Sequence, residues 1–153
     1  MIRPMHSADL PAVLALWRAC PGIGLNDCDH PEALGAYLQR NPDCSQVVLR
    51  DGRLGGAALA GHDGRRGYLH HVGVAPGLRG CGLGRRLVQA CLQALARHGM
   101  RRVHIFVYAD NTAGQDFWSH IAWYRRSDVL IMSHDDDVHD PAPSASPPRH
   151  SAG

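Results

Sequence analysis

Apolar residues Leu10, Val13, Leu14 and Trp17 recur at i, i+3, i+4, i+7, the spacing of an amphipathic helix, with Ser7 or Asp9 placed to cap it. The short run Ile2 to Met5 before it reads as a strand. Pro21-Gly22 ends the helix, and a loop through Ile23, Gly24, Leu25, Asn26 and Asp27 leads to a second one. There Asp29 followed by Glu32 makes a capping-box-like start, with Pro31 in the first turn. The period then changes. Gln46 to Arg50, Arg53 to His62 and Tyr68 to Val74 read as three consecutive antiparallel strands, because Asp51-Gly52 and Asp63-Gly64 between apolar runs are hairpin signals. Helical spacing returns over residues 82 to 98, with Leu83, Leu87, Val88, Cys91, Leu92 and Leu95 on one face and Gly99 closing the helix. Val103 to Tyr108 reads as a strand, Asn111 to Ile121 as a helix and Val129 to Met132 as a last strand. The order β-α-α-β-β-β-α-β-α-β predicts an α+β fold with a mixed sheet. Residues 1–133 are expected to form one domain, and residues 134–153, rich in Asp, Pro, Ser and Ala, a disordered tail.

Composition narrows the chemistry. All 16 basic residues are arginines, and Glu32 is the only glutamate beside 13 aspartates. Without lysine there is no Schiff-base amine and no P-loop lysine. A net charge of +2 argues against non-specific nucleic-acid binding, which needs many phosphate contacts. No apolar run is long enough to span a bilayer and the start lacks a signal-peptide core, so a cytoplasmic protein without membrane contact is expected. Cys20, Cys28, Cys44, Cys81 and Cys91 are odd in number and lack C-x-x-C spacing, which suits free thiols. The 11 histidines form no metal-binding motif, so no metal is expected.

The most informative stretch joins a buried strand to the long helix: Val72-Gly73-Val74-Ala75-Pro76-Gly77-Leu78-Arg79-Gly80-Cys81-Gly82-Leu83-Gly84-Arg85-Arg86. Gly80, Gly82 and Gly84 permit close approach to the backbone, and the helix start offers N–H groups and a positive dipole end. With Arg79, Arg85 and Arg86 this predicts a pyrophosphate site. A Rossmann dinucleotide loop is disfavoured. The run follows an antiparallel meander in mid-chain, and nothing acidic occurs between Gly84 and Asp110.

Arg79-x-x-Gly82-x-Gly84, preceded by Val74-x-Pro76, resembles the Q/R-x-x-G-x-G/A signature of the GNAT superfamily of acyl-CoA-dependent N-acyltransferases, and the element order matches over residues 1 to about 133. The resemblance implies a splayed central sheet flanked by helices. It implies that the backbone of Arg79, Gly80, Cys81, Gly82, Leu83 and Gly84, with Arg85, holds the pyrophosphate of acetyl-CoA. Main-chain groups of Val72, Gly73 and Val74 would pair with the pantetheine like an added strand, and an amide near Val74 would polarise the thioester carbonyl. The segment from Asn111 fits the family's second motif in outline, implying cofactor contacts from Asn111, Phe117 and Trp118. It departs at Gly114 for Ala, Ala122-Trp123 for Gly-Phe, and Trp118 for a Tyr that often protonates the leaving thiolate.

Many relatives place a glutamate base on the strand before the loop, where this chain has Tyr68-Leu69-His70-His71-Val72. Simple alternation puts His70 and His71 on opposite faces unless a bulge shifts the count. Either imidazole can take the ammonium proton. Tyr124 or Tyr108 can replace the missing acid. Asn26, Asp27, Asp29 and Tyr108 are candidates to bind the acceptor, a small-molecule or peptide amine, and edge strands make a homodimer an expectation. The expected reaction is direct acetyl transfer in a ternary complex. Trp118 and the absent glutamate leave open a module that binds acyl-CoA without turnover.

Overall fold

The computed structural model describes residues 1–136, and the residues divide into two units, Met1–Phe106 and Val107–Gly153. In the first unit five strands, β1 (Ile2–Pro4), β2 (Gln46–Arg50), β3 (Arg53–His62), β4 (Gly67–Val74) and β5 (Val103–Ile105), form one sheet in chain order. β1 to β4 are antiparallel and β5 lies parallel to β4, so the sheet is mixed. The Asp-Gly signals hold for a conformational reason. Asp51 and Gly52 both have positive φ (50° and 73°), the geometry whose twist suits a two-residue hairpin.

Two helices, α1 (Leu10–Arg18) and α2 (Pro31–Arg40), lie on one face of the sheet, and α3 (Leu83–Arg97) packs on β2, β3 and β4. The predicted apolar stripe of α1 is buried: Leu10, Val13, Leu14 and Trp17 form a core with Met5, Leu34, Val47, Ala57 and Leu59. The indole N–H of Trp17 donates to the Ala57 carbonyl (3.3 Å), which satisfies its one polar atom. α3 buries Leu83, Leu87, Val88, Cys91, Ala94 and Leu95. Burial pushes the Cys91 thiol up to about 12, so it packs as a small apolar group. Each fully buried Leu or Val contributes about 1.5–3 kcal/mol.

Three expectations change. The start of α2 is not an Asp29–Glu32 box. Asn26 and Asp29 instead close a 3₁₀ turn over Asp27–Asp29, where Asn26 Oδ1 accepts from Cys28 N–H (2.9 Å) and Asp29 Oδ2 from Asn26 N–H (3.0 Å). β5 stops at Ile105 rather than Tyr108, because its parallel pairing with β4 ends at Leu69–Ile105. In the second unit α4 (Thr112–His120) forms as predicted, but Val129–Met132 is exposed, irregular backbone. β propensity reflects packing on a ladder, and without one an apolar run does not make a strand. The expected disordered tail lies, from residue 137 onward, outside the described residues.

Candidate active site

β4 carries one residue too many for its partner. Leu59 of β3 faces His71, but the next residue, Ala60, faces Leu69, which leaves His70 as an extra residue in a β-bulge. This overturns simple alternation. His71 packs against Trp17 of α1 (ring centroids 5.0 Å) and His70 stands edge-on to Tyr37 of α2 (5.7 Å), so both imidazoles project to the same face of the sheet.

The two histidines differ in their partners. His71 Nε2 lies 2.7 Å from Asp29 Oδ1, and the side chains are only 13% and 7% exposed. The other oxygen of Asp29 is held by the Asn26 amide, so the carboxylate is locked on both sides. Sequence reasoning placed Asp29 with the helix cap and the acceptor loop; its pairing with His71 spans 42 residues and has no local signal. Asn26, an expected acceptor ligand, uses its side-chain oxygen within the turn, and Asp27 is exposed there.

His70 sits among ring faces, with Tyr68 stacked at 6.1 Å and Phe106 at 6.5 Å. Burial holds its imidazole below the ordinary histidine value; the neighbouring His71 adds to this and Asp29 opposes it. His70 therefore has a neutral imidazole at pH 7. It also marks a fork, because β4–β5 pairing ends at Leu69–Ile105 while Val72, Gly73 and Val74 stay paired only to Ala58, Ala57 and Gly56 of β3. On their second edge these three residues pair with no strand among the described residues. Gly73 has a separate reason to be glycine: a Cβ there would lie 3.0 Å from Cys20 Sγ and 3.1 Å from Trp17 Cδ1.

Beyond Val74 a 3₁₀ turn, Pro76–Leu78, leads to Gly80 (φ 77°) and Gly82 (φ 78°), both in the left-handed region that disfavours side chains. A Cβ at either would meet nothing within 4 Å, so the backbone is open to a ligand. Arg86 N–H makes a helical bond to Gly82 O (3.1 Å), and the N–H groups of Leu83, Gly84 and Arg85 fall in the helical turn that has no internal acceptor. Arg79, Cys81 and Arg85 are exposed around it. Arg79 Nε donates to Val74 O (3.0 Å) and the Cys81 thiol to Leu78 O (2.9 Å), which brace the turn. Open amides, a helix N-terminus and arginines fit a pyrophosphate.

In the second unit, Asn111 caps α4 through Oδ1 to Gly114 N–H (2.9 Å). The glycine there follows from that cap, since a Cβ at Gly114 would lie 2.5 Å from Asn111 Nδ2. Trp118 is buried between Phe117 (5.1 Å) and Trp123 (4.7 Å). Tyr108 is 42% exposed and Tyr124 70%. Ala122 has φ 69°, which explains why a glycine is the usual residue at that point of the motif. Among the described residues no group of three or more His, Cys, Asp or Glu could hold a metal, and no helix is long and apolar enough to cross a membrane.

A bulged strand running into a glycine cradle at a helix start, on a mixed sheet with flanking helices, matches what the resemblance to acyl-CoA-dependent acyltransferases implies. A model of the acetyltransferase (GNAT) family matches residues 10–122, and the chain belongs to that family. Mycothiol acetyltransferase of Renibacterium salmoninarum is 36% identical over 69 residues, which cover 45% of this chain and 20% of the relative. The chain thus spans about a fifth of the length of the curated relatives it matches. Among solved structures, Ard1 from Thermoplasma volcanium aligns with a TM-score of 0.70 at 17% identity, covering 80% of each chain. AAC(6')-Iy in complex with a CoA-S-monomethyl-acetylneamine bisubstrate analogue aligns at 0.71 and 19%, covering 89% of this chain and 98% of the other. At these identities the likeness is one of fold.

Proposed function

We propose that the chain transfers an acetyl group from acetyl-CoA to a primary amine by direct attack in a ternary complex. The observation that carries this is the bulge at His70: it sets two imidazoles on one face, at the point where β4 leaves β5 and runs into the glycine cradle. The amides from Gly80 to Arg85, with the Arg79 and Arg85 guanidiniums, hold the pyrophosphate. Main-chain groups of Val72, Gly73 and Val74 pair with the pantetheine arm, and an amide near Val74 polarises the thioester carbonyl. By the family's pattern Asn111, Phe117 and Trp118 are the second unit's cofactor residues.

His70 takes the proton of the attacking ammonium directly or through a water, since its imidazole is neutral at pH 7. The Asp29 carboxylate, engaged by both His71 and the Asn26 N–H, fixes the His71 ring on the same face as His70. The leaving thiol, with a pKa of roughly 8.5, departs as thiolate with little help. The phenol of Tyr124, the proposed proton donor, therefore contributes little, and Trp118 in place of the usual Tyr does not abolish transfer. Asp27 is proposed to meet the acceptor's amine, with Asn26 holding the turn that presents it. The test is release of CoA thiol across an amine panel, with acetylated product identified by mass spectrometry. Turnover that is lost in His70→Ala supports the reading; failure of CoA to bind overturns it, and tight CoA binding with no acceptor favours a module without turnover.

A further inference from the structure

β4 runs from Gly67 at one end of the sheet to Val74 at the glycine loop, and the far end carries a second concentration of positive charge. Arg65 and Arg66 close the β3–β4 hairpin and Arg101 and Arg102 lead into β5. With Gly99 they line one open cavity of about 390 Å³. The backbone fixes the two arginine pairs against each other. Gly67 N–H donates to Arg102 O (2.9 Å), and Gly67 pairs with Val103 at the start of the parallel ladder. On the hairpin side, Asp63 Oδ1 accepts the backbone N–H groups of Arg65 (2.8 Å) and Arg66 (2.7 Å).

The charge at this end is not balanced. Ion pairs among the described residues join Arg3 to Asp9, His71 to Asp29 and Arg126 to Asp128, and none reaches these four guanidiniums. Two negative groups face them: Asp63, whose oxygen is engaged by two backbone amides, and the C-terminal end of α3, which closes just before Gly99 and is equivalent to about half a charge. Helix-end compensation thus explains a fraction of one arginine, and a surplus of about two and a half positive charges remains.

We propose that this cleft binds a phosphorylated small molecule, its phosphate oxygens held between the guanidinium pairs of the hairpin and of the segment entering β5. Guanidinium is the side chain whose planar fork matches phosphate oxygens two at a time, and it stays charged at every working pH. A cavity of about 390 Å³ is of ligand size, and its four arginines converge on one cleft. Such a ligand ties together the joined end of the β4–β5 pair, whose open end lies at His70.

The test is a titration of the whole chain with inorganic phosphate and then pyrophosphate, read by NMR on backbone amides and arginine Nε–H groups. It is run with CoA present and repeated on Arg79→Ala, so that binding at the glycine loop is separated from binding here. The expected result is saturable shifts at Arg65, Arg66, Gly99, Arg101 and Arg102, with pyrophosphate at least five-fold tighter than phosphate. Affinity falls at least ten-fold in the Arg101→Ala/Arg102→Ala variant, and independently in Arg65→Ala/Arg66→Ala, while core amides such as Leu87 stay in place. Shifts that never saturate, that equal ionic strength of chloride reproduces, or that vanish in Arg79→Ala overturn the proposal. So does a short RNA that binds these residues ten-fold more tightly than pyrophosphate. Failure of CoA to bind counts against acetyl transfer and leaves this cleft to be judged on its own shifts.

Discussion

The glycine loop and the histidine bulge are neighbours on one continuous stretch, and they are built on opposite principles. At Gly80 and Gly82 the chain works by leaving side chains out: positive φ and open space expose amides that a ligand can reach. At His70 and His71 it works by crowding side chains in: an extra residue in β4 turns both imidazoles to one face, against Trp17, Tyr37 and Asp29. The first arrangement is local and made of backbone. The second exists only because α1, α2 and the turn before α2 converge on the same strand. The first arrangement depends little on its surroundings, whereas the second depends on them.

The contrast is broken most sharply at His70. His70→Ala is expected to lower kcat by about 10²–10⁴-fold, the range of general-base catalysis, with CoA affinity unchanged. The acid limb of kcat/KM should disappear with it. The sign follows from burial: a histidine held below its ordinary value is neutral above about pH 6.5, so activity through His70 is complete there and falls as pH drops through the lowered value. The same shift makes the fold lose stability on acidification over that window, because the unfolded chain then binds the extra proton, and thermal melts between pH 7 and pH 5 report it.

Next in size, Arg79→Ala should weaken CoA by about 10- to 100-fold, as expected for a charge-assisted hydrogen bond worth roughly 1.5–3 kcal/mol, with the pH profile unmoved. Calorimetry checks it. Asp29→Asn should do the reverse. CoA affinity holds, while kcat falls about ten-fold with a shifted pH profile and the protein loses roughly 1–3 kcal/mol by denaturant titration, because buried hydrogen-bonding groups lose their charged partner. If Asp29→Asn and Arg79→Ala alter the same parameter, the division of labour between bulge and loop is wrong. Gly82→Ala should cost about 1–2 kcal/mol of stability through its left-handed φ, seen as a lower Tm. The smallest effect is at Ala122, where Ala122→Gly relieves the same strain in the second unit and should change stability by no more than about 1 kcal/mol, in the stabilising direction.

How far each region could be read from residues alone follows from how it is made. The loop was legible because glycine spacing, flanking arginines and the switch to helical period occur within one short segment. The Asp-Gly turns and the stripe Leu10, Val13, Leu14, Trp17 were legible for the same reason. The bulge was foreseen only as a condition, since a period-two count cannot say where the extra residue falls; the register against Leu59 and Ala60 decides it. Asp29 was misplaced because its sequence neighbours offered a helix cap, while the partner that holds it is 42 residues away. Val129–Met132 has strand composition, yet no ladder forms on it in the described backbone.

By itself, then, the sequence determined the family, the meander, the helices and the cradle, all of which rest on backbone preferences and periodicities that act over a few residues. It also excluded a glutamate from the strand before the glycine loop, since the only glutamate, Glu32, stands at the start of α2. Only the tertiary structure decided which residues meet at the candidate base: His70 made neutral by burial, His71 tied to Asp29, both on one face. Burial and pairing across the sheet set those properties, and neither is encoded in any local run of residues.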